Sequence, residues 1–210
     1  MIRYQRFAAM AEAAPALAAA VAGRLAAAIT RRGRARLAVP GGSTPAAFLE
    51  ALAAQPIAWP RVAGCLTDER LVPAGHPASN EAMVARTLRQ GPGAGIAWQR
   101  LDDPGFDAAT PFDVIVLGMG GDGHVASIFP GMPGLLAGPP AVLAARPPGR
   151  EPRLTLNGPV LQQAASLHLL IAGAEKAAVL DAALAGGDVA ACPARLLAAR
   201  EGETMCWMVA

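Results

Sequence analysis

The chain of 210 residues has little charge, few aromatic side chains and almost no lysine. Charged residues make up 16% of it and aromatic residues 4%, while 53% are hydrophobic, a composition that argues against intrinsic disorder. The formal net charge of +2 excludes a strongly basic nucleic-acid-binding protein and an acidic tail. Arginine accounts for 17 of the 18 basic residues, and Lys176 is the only lysine. Composition alone leaves two explanations of that lysine open: chance, or a site that needs an ammonium group.

Cysteine and long apolar runs are scarce as well. The three cysteines are far apart and form no CxxC pair, which predicts a reduced, cytoplasmic protein without a disulfide framework or a zinc site. The alanine-rich segment 8–29 is interrupted by Glu12 and Arg24, and its larger apolar residues follow helical spacing. We therefore expect a soluble N-terminal helix rather than a membrane span.

Hydrophobic runs alternate between the periods of strands and helices along the chain. The pattern predicts strands at 36–39, 62–66, 112–117, 154–156, 167–172 and 204–209, an extended segment at 96–101, and helices at 45–54, 81–89 and 174–185. Near-continuous apolar strands that alternate with helices are typical of a parallel sheet covered on both faces. We therefore predict one α/β domain over residues 1–210, with a mostly parallel sheet and a long loop at 131–149. Ligands of such sheets bind beyond the carboxyl ends of the strands, where the polar clusters described next are expected.

The first polar cluster, Pro-Gly-Gly-Ser-Thr-Pro at residues 40–45, joins a strand to a helix. Gly41 and Gly42 allow the backbone to approach a ligand closely, and Ser43 and Thr44 precede a helix N-terminus, whose free N–H groups suit a phosphate. Thr44 is the predicted N-cap of that helix. No Gly-Lys-Ser/Thr follows, so the segment is not a Walker A loop. An ordinary strand-to-helix turn remains the alternative.

A second cluster, residues 118–123, spells GxGxxG after the strand at 112–117. A dinucleotide site is not expected here, because the motif lies in mid-chain, prolines soon stop any helix, and no carboxylate occurs between Asp122 and Glu151. The loop continues to His124, two residues after Asp122, a setting that favours acid–base chemistry near neutral pH over a structural role. His76 and His168 are expected to be structural.

Further charged residues lie at the ends of other predicted strands. Arg70 can neutralise a substrate anion or an oxyanion, and Asp68 can bind sugar hydroxyls, although a solvated charge cluster fits the same pattern. Arg153 and Lys176 complete a set of cations, and a phosphate dianion usually needs one or two of them besides backbone donors.

Five blocks of the sequence carry a resemblance to a known family: PGGSTP, TDERLVP with a following SN, FDVIVLGMGGDGHVASIFPG, RLTLNGPVL and GAEKA. In this order, from about residue 37 to 180, they resemble the 6-phosphogluconolactonases, which belong with glucosamine-6-phosphate isomerases in a Rossmann-like α/β/α superfamily. The resemblance implies a three-layer α/β/α fold, hydrolysis of 6-phospho-D-glucono-1,5-lactone in the oxidative pentose phosphate pathway, and no cofactor or metal. The resemblance implies that His124 is the catalytic histidine and that the phosphate loop consists of Gly41, Gly42, Ser43 and Thr44. It implies that the phosphate is held by Arg153 and Lys176. It also implies that Arg70 lies near the lactone, that Asp68 and Asp122 line the pocket, and that Asn80 belongs to the loop after Arg70.

The sequence departs from the family pattern in three places. Val125, beside the histidine, stands where the family usually has threonine. Only about ten residues separate Leu101 from Phe112, where the family carries a helix, and a parallel crossover normally needs a dozen or more. We therefore expect a shortened or irregular connection there. Ala210 ends the sequence without the usual acid after the tryptophan-containing strand.

The resemblance implies a mechanism in which neutral His124 deprotonates a water that attacks the C1 carbonyl, then returns the proton to the ring oxygen. Arg70 or the backbone N–H groups of loop 118–123 would stabilise the oxyanion, and Asp122 would orient the imidazole or cap the loop. Two alternatives are a catalytically silent sugar-phosphate sensor and an amino-sugar phosphate isomerase or deaminase, which would need a carboxylate that residues 128–131 lack. The expected partner is a sugar-phosphate lactone, with no nucleic acid and no membrane, bound by a monomer.

Overall fold

A seven-stranded, wholly parallel sheet runs through the middle of the molecule. The computed structural model describes residues 2–73 and 75–210. The strands are β1 (Ile2–Phe7), β2 (Ala35–Val39), β3 (Val62–Leu66), β4 (Asp68–Arg70), β5 (Ala97–Trp98), β6 (Val114–Leu117), β7 (Val142–Ala145), β8 (Arg153–Leu156), β9 (Ser166–Ala172) and β10 (Glu203–Val209). The helices are α1 (Met10–Arg32), α2 (Ala46–Ala53), α3 (Asn80–Arg86), α4 (Gly158–Gln162), α5 (Ala174–Leu184) and α6 (Leu196–Ala199), and short 3-10 turns occur at Trp59–Arg61, Gly91–Gly95, Pro133–Leu135 and Pro193–Arg195.

The order of the large sheet is β1-β10-β9-β6-β2-β3-β5. From β2 the chain moves outward through β3 to β5, and from β6 it moves outward in the opposite direction through β9 to β10. Right-handed crossovers then place α1 and α2 on one face and α4 and α5 on the other. The predicted three-layer α/β/α class is confirmed. The order of strands reverses between β6 and β2, the point at which ligands bind in open sheets of this kind.

Helix α1 covers one face of the sheet. It is long and apolar enough to cross a membrane by length and composition alone. Its buried residues, however, follow helical spacing, and Leu17, Val21 and Leu25 are fully buried in the core. The helix ends at Gly33, whose φ of 74° is the left-handed conformation of a helix C-cap. The predicted apolar stripe is therefore packed inside the protein.

The connection from β5 to β6 contains no helix, as its length predicted. Arg36 on β2 fixes this irregular segment, because its guanidinium donates hydrogen bonds to the carbonyls of Thr110 and Asp107 and stacks over the Phe112 ring at 4.3 Å. Side-chain contacts from β2 thus hold this helix-free connection against the sheet.

A second, smaller sheet of three antiparallel strands, β4-β8-β7, corrects two predictions. The segment Asp68–Arg70 does not simply end β3 but forms β4, which pairs with β8, so the predicted strand at 154–156 belongs to this sheet and not to the parallel one. The predicted loop 131–149 contains a 3-10 turn and β7. These strands escaped prediction because each is only three or four residues long and is fixed by pairing with chain segments distant in sequence.

Candidate active site

A cleft of about 270 Å³ opens at the carboxyl ends of the parallel strands, beside the junction of β2 and β6. The smaller sheet forms one side of it through β4 and β8. All predicted site residues but one line this cleft: Gly41, Gly42, Ser43, Thr44, Asp68, Arg70, Asn80, His124, Arg153 and Lys176. The remaining one, Asp122, lies behind His124 and hydrogen-bonds to its ring. The structure therefore brings together residues from six separate segments of the chain.

His124 is held by the glycine-rich loop that follows β6. Its Nδ1 lies 2.5 Å from Oδ1 of Asp122, which also accepts the His124 backbone N–H at 3.1 Å. Burial opposes the ionised form of Asp122, but these two hydrogen bonds hold its pKa below the ordinary value. Because Nδ1 is engaged, Nε2 is the ring nitrogen left for a ligand in the cleft. Asp122 thus both orients the imidazole and caps the loop, the two roles that the sequence left open.

Gly120 in this loop leaves room for the histidine ring. A Cβ atom on Gly120 would lie 2.1 Å from Cε1 and 2.2 Å from Nδ1 of His124, so only glycine lets the imidazole rest on the backbone there. The backbone closes a tight turn, in which Gly123 N–H donates to the Gly120 carbonyl at 3.0 Å, and no helix follows.

The residues after His124 are held by burial and by hydrogen bonds to the smaller sheet. Val125 is fully buried and does not line the cleft, so the valine in place of the family's threonine faces the interior. Ala126 adopts a φ of 50°, the left-handed region that a residue with a side chain rarely occupies. Ser127 is also fully buried, and its hydroxyl donates to Asp68 Oδ2 at 2.5 Å. Its backbone N–H donates to Thr155 Oγ1 on β8 at 3.1 Å. These bonds join the histidine loop to the smaller sheet.

Asp68 is a buried carboxylate at the floor of the cleft, only 6% exposed. Burial raises its pKa, and the hydrogen bond from Ser127 and the charges of Arg70 and Arg153 lower it in part. Its second oxygen, Oδ1, accepts from the Thr67 hydroxyl at 3.3 Å. Both oxygens are therefore partly engaged by protein hydroxyls.

The loop 40–45 takes a turn before α2, and one prediction about it is wrong. Pro45, not Thr44, is the N-cap, with helical angles of −80° and −3°, and no side chain caps the helix. The reason is the preceding turn, in which the Ser43 carbonyl accepts the Ala46 N–H at 3.2 Å and so satisfies the donor that a threonine hydroxyl would otherwise take. Gly42, with a φ of 94°, needs the conformational freedom of glycine.

Gly41 has a packing role besides its place in this loop. A Cβ atom there would lie 1.9 Å from Cγ of Asn80, so the Asn80 amide rests directly on the Gly41 backbone. Asn80, nearly fully buried, in turn donates to the Asp68 carbonyl at 2.8 Å and accepts from Arg70 at 2.9 Å.

Two arginines face each other across the smaller sheet. Arg70 on β4 and Arg153 on β8 are direct partners in the antiparallel register, a like-charged pair that destabilises a sheet. Arg153 is 7% exposed and, within the residues that the structure describes, has no ion-pair partner. The Nε atoms of both arginines are buried without a hydrogen-bond partner in that same part of the chain. Burial first, and then the charge of Arg70, lower the pKa of Arg153. The charge of Asp68 opposes this shift, and an anion bound in the cleft would further offset the repulsion between the two arginines.

Lys176 lies in the first turn of α5, beyond the carboxyl end of β9. It reaches the cleft from the large sheet, opposite in the fold to the two arginines of the smaller sheet. The only lysine of the chain is thus in the candidate site, beside the loop 40–45.

Sequence reasoning missed one aromatic residue of the site. The Phe129 ring packs against the His124 imidazole, with centroids 4.3 Å apart, and the guanidinium carbons of Arg153 and Arg150 lie 5.2 and 5.1 Å from its centroid. Its only signal in the sequence was a position five residues after the histidine. Among the described residues no cluster of three or more potential metal ligands occurs.

Comparisons with known proteins identify relatives of this chain. The model of the family described as glucosamine-6-phosphate isomerases/6-phosphogluconolactonase matches residues 8–103 and 93–207. A Pseudomonas aeruginosa protein named 6-phosphogluconolactonase is 42% identical over 205 residues, which cover 88% of this chain and 86% of that protein. A protein of the same name from Rhizobium meliloti is 41% identical over an alignment of 213 positions, which covers 91% of this chain and 91% of that protein. The crystal structure of a 6-phosphogluconolactonase from Shewanella baltica superimposes with a TM-score of 0.94 at 30% identity, over 100% of this chain and 98% of that one.

Proposed function

The chain belongs to the glucosamine-6-phosphate isomerase/6-phosphogluconolactonase family, and we propose that it hydrolyses 6-phospho-D-glucono-1,5-lactone to 6-phospho-D-gluconate. That it is an enzyme, a lactonase, follows from relatives of that name at 42% and 41% identity. The observation that carries the substrate proposal is the pair of facing arginines, Arg70 and Arg153, neither of which forms an ion pair with a carboxylate within the part of the chain that the structure describes.

A phosphorylated lactone would bring negative charge to the cations of this cleft. Its phosphate dianion would occupy the end formed by the loop 40–45, Arg153 and Lys176, where backbone donors and two cations are available. Asp68 would accept hydrogen bonds from hydroxyl groups of the sugar ring. Holding the remote phosphate in this way converts its binding energy into orientation of the lactone carbonyl.

His124 would carry out the proton transfers. With Nδ1 hydrogen-bonded to Asp122 at 2.5 Å, the neutral imidazole presents Nε2 as the base that removes a proton from water as the water attacks C1. The C1–O5 bond of the tetrahedral intermediate then breaks, and the imidazolium returns the proton to the ring oxygen that leaves. Arg70 or the backbone N–H groups of loop 118–123 would stabilise the oxyanion.

The rival functions gain no support from the site. An amino-sugar phosphate isomerase or deaminase would need a carboxylate where this chain has residues 128–131, and Phe129 packs there against His124 instead. A silent sensor would not need the short Asp122–His124 hydrogen bond. We propose further that the enzyme acts as a cytoplasmic monomer, without a cofactor, on this small molecule, and that it binds neither nucleic acid nor a membrane.

The test is a pH-stat assay with freshly prepared 6-phosphogluconolactone, in which His124→Ala is compared with wild type. Loss of the general base is expected to lower kcat by about 10²- to 10⁴-fold, because proton transfer by a positioned histidine contributes that much. His76→Gln, at an exposed loop residue, is the matched control, because a glutamine oxygen can still accept the Ala78 N–H that His76 Nδ1 accepts at 3.1 Å, and it keeps the wild-type rate. Equal rates for wild type and His124→Ala would refute the mechanism, and an inactive wild type would refute the proposed substrate.

A further inference from the structure

Glu69 stands between Asp68 and Arg70 on β4 but does not line the cleft. Its carboxylate accepts four hydrogen bonds that join β4 to the start of α3. Oε1 accepts the N–H of Arg70 at 2.7 Å and of Asn80 at 2.8 Å, and Oε2 accepts the N–H of Glu81 at 2.7 Å and the hydroxyl of Ser79 at 3.1 Å. Every oxygen of the carboxylate is thus used twice.

These bonds do more than cap a short helix. Ser79 already is the N-cap of α3 and accepts the Ala82 N–H at 3.1 Å. The Glu69 carboxylate binds different donors, and one of them is the backbone N–H of Arg70 itself. It therefore fixes the distance between β4 and the two residues, Asn80 and Ala78, that hold the Arg70 side chain.

The Arg70 guanidinium is aimed by these residues. Its Nη1 donates to the Ala78 carbonyl at 2.7 Å and to Asn80 Oδ1 at 2.9 Å. The other side of the Asn80 amide packs against Gly41, where a Cβ atom would collide with it. Any displacement of the start of α3 would consequently move the Arg70 guanidinium and the surface on which loop 40–45 packs.

We propose that Glu69 is a positioning residue for lactone hydrolysis, which acts from behind the cleft by fixing Arg70 through Asn80 and Ala78. This inference rests on the proposed function, because it assumes that Arg70 contacts the reacting lactone. A carboxylate is required, since it is the one side-chain group of this size that accepts at both oxygens and donates at neither. The amide nitrogen of a glutamine would confront two donors.

The experiment is a double-mutant cycle with Glu69→Gln and Arg70→Ala, assayed by hydrolysis of phosphogluconolactone. We expect Glu69→Gln to lower kcat by about 10- to 100-fold, because a displacement of about 1 Å in a catalytic group has that effect. The KM should change by a smaller factor than kcat, since Arg153 and Lys176, the two cations of the phosphate end, lie on β8 and α5 and not on the elements that Glu69 joins. In the Arg70→Ala background, Glu69→Gln should add less than about a threefold loss, because its target is gone.

The control is Glu81→Gln, whose side chain pairs with Arg89 at 3.3 Å on the outer side of α3 and should leave kcat and KM as in wild type. An equal loss from Glu69→Gln in both backgrounds, no loss at all, or a loss expressed only in KM would overturn the proposal. If Glu69→Gln does not fold, Ser79→Ala replaces it in the cycle, with a loss of about threefold expected only where Arg70 is present. A wild type that does not hydrolyse the lactone overturns the proposed function together with this one, whereas an active wild type with unaffected variants overturns this one alone.

Discussion

Arg153 is the residue whose surroundings depend most on a ligand. Its guanidinium is buried, lies opposite Arg70, and stacks over the Phe129 ring at 5.2 Å, with no carboxylate paired to it in the described part of the chain. A cation–π contact of this kind contributes about 0.5–2 kcal/mol, which does not offset the burial of an unpaired charge next to another cation. The ligand-free protein is consequently less stable than a variant with an apolar residue at position 153 would be.

Arg153→Met should therefore raise the free energy of unfolding of the ligand-free protein by about 1 kcal/mol, because an unpaired buried charge is replaced by an apolar chain of similar length. The same change should raise the KM for the phosphorylated lactone at least about tenfold, since a charge-assisted bond to phosphate is lost. Urea unfolding and steady-state kinetics measure the two effects. Arg150→Met is the control, because Arg150 also stacks on Phe129 but is exposed and does not line the cleft. A less stable Arg153→Met protein would contradict the argument.

The paired central strands β9 and β10 contain a buried polar network away from the cleft. His168 Nδ1 accepts the indole N–H of Trp207 at 3.0 Å, and Nε2 lies 3.1 Å from the hydroxyl of Ser166. Burial, and then the charges of Arg24 and Arg200, lower the pKa of His168 to about 4. The ring is thus neutral and structural, as expected for a histidine inside a strand.

This network makes the sheet sensitive to acid. The unfolded chain takes up a proton on this histidine near pH 6.5, and the folded chain does so only near pH 4. The contribution of the neutral ring to the free energy of unfolding is therefore fully present above about pH 6.5 and is lost as the pH falls to about 4. The total loss from this group is about 3 kcal/mol. Urea unfolding at a series of pH values should show a shallower acid loss for His168→Gln than for wild type. The exposed His76→Gln serves as the control, and an unchanged slope in His168→Gln would remove this residue as the cause.

Prediction from sequence succeeded for the elements whose pattern is local. The strands β2, β3, β6, β9 and β10 are runs of apolar residues buried on both faces, so their composition alone identifies them. β1 was missed because it is an edge strand whose middle residues are exposed, and β4 and β7 because their pairing is not written in their own residues. The longest apolar runs are therefore the most predictable elements.

The same distinction applies to the site. That His124, the loop 40–45 and Lys176 lie together was predictable, since the carboxyl ends of parallel strands converge on one edge, whereas their roles came from the family resemblance alone. Ser127, Phe129 and the role of Glu69 were not, because they act through contacts with segments far away in the sequence.

For the molecule as a whole, the cleft concentrates positive charge in a protein whose net charge is only +2. Arg70, Arg153 and Lys176 come from β4, β8 and α5, so an anion bound among them bridges both sheets and a helix. A ligand that binds only the folded chain stabilises it by mass action, and here it would also relieve the repulsion between the cations.

Inorganic phosphate should therefore raise the Tm of the free protein. At a concentration ten times its Kd, the expected stabilisation is about 1.4 kcal/mol, equivalent to about 3–5 °C for a chain of this length. Differential scanning fluorimetry in phosphate, with chloride at the same ionic strength as reference, measures the shift. Lys176→Ala should lose most of it and should raise the KM for the lactone. An identical shift in both proteins would mean that phosphate acts on them as a general stabilising salt and would remove Lys176 from the phosphate site.

Thr67 gives the cleft a property that neither sheet has alone. It is fully buried between β3 and β4, its N–H donates to the Val39 carbonyl of the large sheet at 2.8 Å, and its carbonyl accepts the Leu156 N–H of the smaller sheet at 2.9 Å. The histidine belongs to one side of this seam and both arginines to the other. If His124 and the two arginines act as proposed, turnover requires the two sheets to be docked. A state in which each sheet stayed folded but the two sheets had separated would then keep its secondary structure and lose its activity.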